Sequence, residues 1–333
     1  MALYLVLRDV HWREVGDAIR AADYLLIGLA VLIFLGVVLF RSMRWRLLLG
    51  SPASLTVGHL FGSLNVAYLV NNLLPLQMGD LARSYLVSEL GGISATRAVS
   101  TVVVEKVADV LTLLLFLVLI APFVSIPNWA LAPSLLLAAA FTTLAFLLVL
   151  AAIKRRLIAG LIEKLLRLSP DASRPKLRQM AESGLDGVQV FRSPRLAIGL
   201  VAYSSAIWLL AATVLFLGME AFSLGTSFGA AVLVLVATTF GIFVPSSPGA
   251  FGVYHAIAIG TLTSVFGLGK NLAVSYALVI HLVVYLPPLF LGTAFLWLER
   301  RLWRQTSFFE KLGQLRGRLE TVAAGSSNAD VAQ

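Results

Sequence analysis

Long apolar runs occupy residues 24–40, 98–121, 131–153, 196–218 and 272–298. Each approaches the ~20 residues that a helix needs to cross a bilayer core. Two further apolar regions, starting near 55 and near 225, are interrupted. The first breaks at Asn71-Asn72-Leu73-Leu74-Pro75-Leu76-Gln77-Met78-Gly79-Asp80-Leu81-Ala82-Arg83, the second at Pro245-Ser246-Ser247-Pro248-Gly249-Ala250-Phe251-Gly252. An uninterrupted membrane helix would choose neither set. Two stretches alternate differently. Residues 1–21 space Leu3, Leu5, Val6, Val10, Trp12, Val15 and Ile19 among charges, and 154–195 carries Ile158, Leu161, Ile162, Leu165 and Leu166 at helical spacing. Both predict an amphipathic helix lying along the membrane surface. The fold class expected is an all-α polytopic membrane protein.

Composition agrees: 59% hydrophobic and only 13% charged residues, with a mean hydropathy of +0.90, lie outside soluble usage. There is no cysteine, so neither disulfides nor thiolate metal sites enter. The formal charge of +9 reads as the positive-inside bias and contact with anionic lipid, not as a nucleic-acid surface. Ten of the 26 Lys and Arg residues lie in 154–195 and six in 299–333, against none in 121–128 or 219–226. The long loop and the C-terminus are therefore expected to be cytoplasmic, and the span at 98–121 to run outward. Residues 1–21 and 41–53 hold three basic residues each, so charge leaves the side of the N-terminus open.

A repeat closes that gap. A shift of 170 lays Pro75 on Pro245, Gly79 on Gly249, the first span on 196–218 and 98–121 on the last span. In this register the equivalent spans run in opposite directions, which places the N-terminus outside and predicts an inverted repeat with two re-entrant, broken hairpins. The expected organisation is an interfacial helix at 1–21, a first membrane repeat at 22–153 with its hairpin at 55–90, and a basic amphipathic loop at 154–194. A second repeat at 195–298, with its hairpin at 224–268, precedes a basic, partly disordered tail at 299–333.

Broken backbone at membrane depth is tolerated only where protein or water surrounds it. The half-helices starting near Gly79 and Ala250 would aim free amides at such a place, favouring an anion such as a phosphate head group, with Arg83 one turn along. Alternatively, both prolines sit in ordinary loops and Arg83 marks the cytoplasmic edge. Glu105, Lys106 and Asp109 form a charged turn inside a span. At roughly 2.5–3.5 kcal/mol each on insertion scales, they do not face lipid. Glu105 and Asp109 share a face, and Lys106 reaches Asp109 at three positions apart. This turn serves either proton-coupled transport or a structural ion-pair network with Arg83. His255 and His281, with Tyr254 and Tyr285 nearby, read as packing residues or a weak two-ligand metal site. No cofactor motif appears.

The residues Asn72-Leu73-Leu74-Pro75…Gly79-Asp80…Arg83, Val104-Glu105-Lys106…Asp109 and Pro245…Pro248-Gly249…Gly252, followed by Phe266-Gly267, resemble the lysylphosphatidylglycerol synthase transmembrane-region (flippase-like) family over about residues 20–300. The resemblance implies a multi-pass protein of the bacterial inner membrane that moves a phospholipid or polyprenyl-linked lipid between leaflets. It also implies a substrate site at Asn71, Asn72, Pro75, Gly79, Asp80, Arg83, Glu105, Lys106, Asp109, Pro245, Ser246, Pro248, Gly249, Gly252, His255, His281 and Tyr285. The expected partner is a membrane lipid with an anionic or phosphate-containing head group. A second copy of the chain or a lipid-modifying enzyme is compatible with this, and a non-transporting scaffold for lipid modification or envelope glycan assembly is the competing function. The family usually has Glu at 80, Arg at 106, Gly at 250, Glu at 255 and Arg at 281, so this sequence exchanges a second-half ion pair for two imidazoles. The family's soluble aminoacyl-transferase domain is absent here, so no enzymatic activity and no cofactor is expected.

Overall fold

The structure, a computed structural model, describes residues 10–50, 54–74, 78–124, 128–166, 174–242 and 248–299. Twelve α-helices and two short 3-10 turns make up the described residues, with no strand among them. We number the helices α1 (Trp12–Ala21), α2 (Tyr24–Leu48), α3 (Val57–Leu73), α4 (Gly79–Gly91), α5 (Ala95–Ile120), α6 (Asn128–Ile153), α7 (Arg155–Leu166), α8 (Arg174–Gly187), α9 (Pro194–Ala221), α10 (Phe228–Ile242), α11 (Val253–Phe266) and α12 (Lys270–Leu298). Four segments are long and apolar enough to cross a membrane: Tyr24–Leu48, Ser134–Ile153, Pro194–Ala221 and Lys270–Leu298. Helix α5, at 26 residues, is as long as these. Its charged turn sets it apart from them in composition.

Local chemistry marks the ends. Asp23 opens α2 by accepting from the amides of Leu25 and Leu26. Thr56 and His59 close a reciprocal capping box at the start of α3. Gly92 and Gly267, at φ +62° and +67°, end α4 and α11 in the left-handed conformation that glycine adopts without cost. The first span continues two turns beyond the apolar run at 24–40, because Arg41, Arg44 and Arg46 remain helical. The basic loop forms two helices, α7 and α8, where one was expected. Helix α8 lies so close to α5 that a Cβ on Gly187 would meet Ser100. Helix α1 is tied to the head of α12, where Asn271 donates to Glu14 at 2.6 Å and Ser275 to the Val15 carbonyl at 3.4 Å.

Helices α2 and α9 form the most extensive contact and run antiparallel. The Asp23 amide bonds the Ala221 carbonyl at one end, and Leu47 meets Gly199 at the other. Around them, α3 packs on α12 while α10 packs on α5. The two feet of the α3–α4 hairpin sit together: Ser54 Oγ donates to the Gly91 carbonyl at 3.1 Å. The same end holds Arg97, which reaches the Leu49 carbonyl at 3.1 Å. The α10–α11 hairpin starts just past Ala221 and leads into the head of α12, at the opposite end.

Helix starts repeat along the chain at offsets of 170 (24 to 194), 171 (57 to 228), 174 (79 to 253) and 175 (95 to 270). The fixed shift of 170 therefore holds for the first pair and to within one residue for the second, but not for the last two. After the break the second half carries extra residues, taken up by the 3-10 turn Pro248–Ala250 and by Gly249, Ala250 and Gly252 at φ +65°, +55° and +96°. Gly79 thus corresponds to Val253 in helix position and not to Gly249. Residues Pro287 and Pro288 sit inside α12, which stays continuous across them.

Candidate functional site: a buried charge network beside two helix breaks

The charged turn of α5 is enclosed by α2, α4 and α9. Asp109 takes Arg44 at two points, 2.5 Å from Nη1 and 3.3 Å from Nη2, and accepts from Trp208 Nε1 at 2.9 Å. Arg44 also donates to Ser204 Oγ at 2.9 Å. Arg41 stands 3.6 Å from Asp109 and lies over the Trp208 ring at 5.1 Å. Arg83 binds Glu105 at 2.6 Å and Asp80 at 3.0 Å, with its guanidinium 4.5 Å from the Trp45 ring centre. Glu105 faces Arg44 at a looser 3.6 Å. Trp45 in turn bonds Thr101 at 3.0 Å, pinning α2 to α5.

Two sequence expectations meet this geometry differently. Glu105 and Asp109 do share a buried face, and Arg83 does pair with the turn. Lys106, however, reaches Asp80 on α4 at 3.0 Å and not Asp109, because Arg44 already occupies that carboxylate. The sequence reading also missed Arg41, Arg44, Ser204 and Trp208. The usable signal was the i, i+3 spacing of Arg41 and Arg44, which puts both on one helical face.

The network holds four cations (Arg41, Arg44, Arg83, Lys106) against three carboxylates (Asp80, Glu105, Asp109), a formal surplus of +1. Its deep members, Arg44, Arg83, Glu105 and Asp109, are buried. Charges so placed persist only when paired and hydrogen-bonded. Its accessible edge is the pair Lys106 and Asp80, whose side chains are 42% and 27% exposed.

At the first break, Asn71 Oδ1 accepts from the Gly79 amide at 2.7 Å and so occupies the first amide of α4. That amide is therefore not free for an anion. Gly79 itself must be glycine, since a Cβ would lie 2.0 Å from the Ala67 carbonyl oxygen. Asn72 reaches across to the Tyr285 carbonyl at 3.5 Å, and the turn Pro248–Ala250 packs against α3. The described flanks of the two breaks thus meet beside α12. Around the second tip, Phe251, His255, His281 and Tyr285 form an aromatic cluster, with the His255 and His281 rings stacked at 4.8 Å. Among the site residues expected from sequence, Pro75, Pro245 and Ser246 lie outside the described residues, and Pro248 is described in its backbone alone. No group of three or more His, Cys, Asp or Glu arranged to hold a metal occurs among the described residues.

Described residues that are all helical, with four segments long and apolar enough to cross a membrane and charges buried between helices, define a membrane protein. It belongs to the lysylphosphatidylglycerol synthase TM region family, whose model matches residues 1–292. Two proteins of Methanothermobacter thermautotrophicus, each described as a UPF0104 membrane protein, are similar along most of their length. One is 26% identical over 89% of this chain and 90% of its own, the other 24% identical over 82% and 85%.

Proposed function

We propose that the chain is a lipid translocase, moving a phosphate-bearing phospholipid or polyprenyl-linked lipid between leaflets by alternating exposure of a polar site where two re-entrant hairpins meet. The observation that carries this reading is the convergence of the flanks of the two breaks beside a buried charge network that leaves one ion pair, Asp80 and Lys106, at its accessible edge. The antiparallel α2–α9 pair, the hairpin feet at opposite ends and helix starts recurring at offsets of 170 to 175 support opposed hairpins. Such inverted repeats with discontinuous helices place binding sites at the repeat interface. The end that gathers Arg97, Arg155 and Arg192 is then cytoplasmic, in a bacterial inner membrane, with the C-terminus on that side.

The test is leaflet exchange of a fluorescent phosphatidylglycerol in vesicles containing the purified chain. Lys106→Gln should slow exchange while leaving thermal stability near wild type, because its side chain is partly exposed. Wild-type exchange no faster than protein-free vesicles, or a Lys106→Gln variant as fast as wild type, would sink the reading.

One observation favours a second reading, the non-transporting scaffold. Arg44 and Asp109 are bonded to each other and to α9 so fully that they hold α2, α5 and α9 as one unit. A scaffold predicts co-purification of a lipid-modifying or glycan-assembling enzyme and no exchange by the isolated chain.

A further inference from the structure

The exposed ion pair of the first half has a counterpart in the second at the same spacing: Asp80 and Lys106 are 26 positions apart, as are His255 and His281. Both partners occupy corresponding places, early in the half-helix after each break and at the twelfth residue of the long helix that follows (α5 or α12). Where the first pair forms a salt bridge, the second forms a stack, with ring planes within 6° of each other. His255, His281 and Tyr254 are only 1%, 5% and 7% exposed. Among the described residues, both ring nitrogens of His255, Nδ1 of His281 and the Tyr254 hydroxyl have no hydrogen-bond partner. Four orphaned polar atoms at one place cost stability without return unless something else binds them.

The stacking narrows what that can be. Imidazole nitrogens bond in the plane of the ring, so parallel rings cannot bond each other. Nor can they converge on one metal ion at the ~2.0–2.1 Å that ligation requires. Their unpartnered nitrogens are left for a third group. Beside them starts α11, whose first turn no side chain caps, in contrast to α4, where Asn71 takes the first amide. An uncapped helix N-terminus favours an anion. The helices that carry or directly flank the rings supply no counter-charge: α3, α10 and α11 contain no Asp, Glu, Lys or Arg, and α12 has only Lys270, eleven positions before His281. The other titratable groups on these four helices are His59, Tyr68, Tyr254, Tyr276 and Tyr285. Helices α1, α2 and α9, which also pack on α12, carry acidic Glu14, Asp17 and Glu220 and basic Arg13, Arg20, Arg41, Arg44, Arg46 and Arg195.

We propose that His255, His281 and the first-turn amides of α11 form a proton-gated subsite for a phosphate group, carried by a lipid head group or free in solution. The subsite deepens the translocase reading and rests on it for the lipid. With both rings neutral, each offers a lone pair that repels an anion. One proton taken from water turns one ring into a double donor, carrying a positive charge that the protein leaves uncompensated. The phosphate oxygens then accept from that ring, from the Tyr254 hydroxyl and from the α11 amides. Like-charge repulsion disfavours a second proton on the stacked ring until the anion is in place. Affinity therefore rises as pH falls.

The experiment uses the full chain in dodecyl maltoside, which carries no phosphate, with calorimetric titration at pH 5 and pH 8. The titrants are dihexanoyl phosphatidylglycerol, dimethyl phosphate, which keeps one charge across that range, and phosphate-free dihexanoylglycerol. We expect phosphatidylglycerol to bind about tenfold or more tightly at pH 5 than at pH 8. His255→Gln and His281→Gln should each abolish the pH dependence while keeping the wild-type melting temperature. Dimethyl phosphate binding with the same pH dependence assigns the subsite to any phosphodiester, and lipid-only binding assigns it to the head group. Equal affinity at both pH values, or equal binding of dihexanoylglycerol, overturns the proposal. If either variant fails to fold, the 15N signals of the wild-type histidines decide, and signals for 255 and 281 unmoved by titrant overturn it as well. Binding without leaflet exchange would remove the translocase reading and leave the subsite standing. Exchange without histidine-dependent binding would do the reverse.

Discussion

Replacing Asp109 by asparagine removes one charge from the most enclosed part of the network while preserving shape. The carboxylate it replaces is held by Arg44 at 2.5 and 3.3 Å, by Trp208 at 2.9 Å and by Arg41 at 3.6 Å. An amide can still accept from Trp208, but it also brings two donors into a place that already has more donors than acceptors. The formal charge of the cluster rises from +1 to +2, and Arg44 keeps only Ser204 and a carboxylate 3.6 Å away. Leaving a buried guanidinium in that position costs about 3–5 kcal/mol. Removing both partners, as in Arg44→Met with Asp109→Leu, should cost clearly less than the two single changes added together, with a coupling of at least ~2 kcal/mol for residues in direct contact. Reversible unfolding by SDS in mixed micelles, followed by tryptophan fluorescence, measures the wild type and all four variants. An Asp109→Asn cost below ~1 kcal/mol, or additive single changes, would refute the view that this pair is a desolvated unit.

Gly79→Ala places a methyl where the Ala67 carbonyl already is, and forcing α4 off α3 should cost roughly 1–3 kcal/mol by the same unfolding assay. Ala250→Gly acts in the other direction: φ of +55° penalises an L-residue, so relieving it should stabilise the second tip by ~1 kcal/mol. Asn71→Ala frees the Gly79 amide and should cost ~1 kcal/mol, with faster hydrogen exchange at the start of α4 and unchanged exchange in α9. A maleimide that cannot cross the membrane should label Ala2→Cys from outside intact cells, and labelling only after lysis would reverse the orientation.

The long spans could be read from the sequence because burial in lipid demands unbroken apolar residues, and α6, α9 and α12 fall where the pattern put them. The hairpin breaks were legible for the opposite reason: Asn71, Pro75 and Gly79 have no place in such a run. Arg41 and Arg44 were lost because basic residues at the end of an apolar run normally mark an interface, whereas here α2 continues to Leu48 and carries them in against α5 and α9. The choice of Asp80 over Asp109 by Lys106 was also hidden. Spacing along one helix says which side chains can meet, but only packing decides which partner is already taken. Trp208 reads as another apolar residue of its span until its indole N–H is found on a carboxylate.

The matched spacing of Asp80 with Lys106 and of His255 with His281 has an energetic consequence of its own. Two halves with identical polar pairs would give a carrier whose two resting states are degenerate, equally populated when empty. Here one half keeps a permanent salt bridge and the other a neutral stack. If the protein alternates as proposed, opening toward either side exposes different polar surface and would not cost the same. This inequality drives no net flux, since only a gradient does that. In the proposed translocase it would set which leaflet the empty protein waits for.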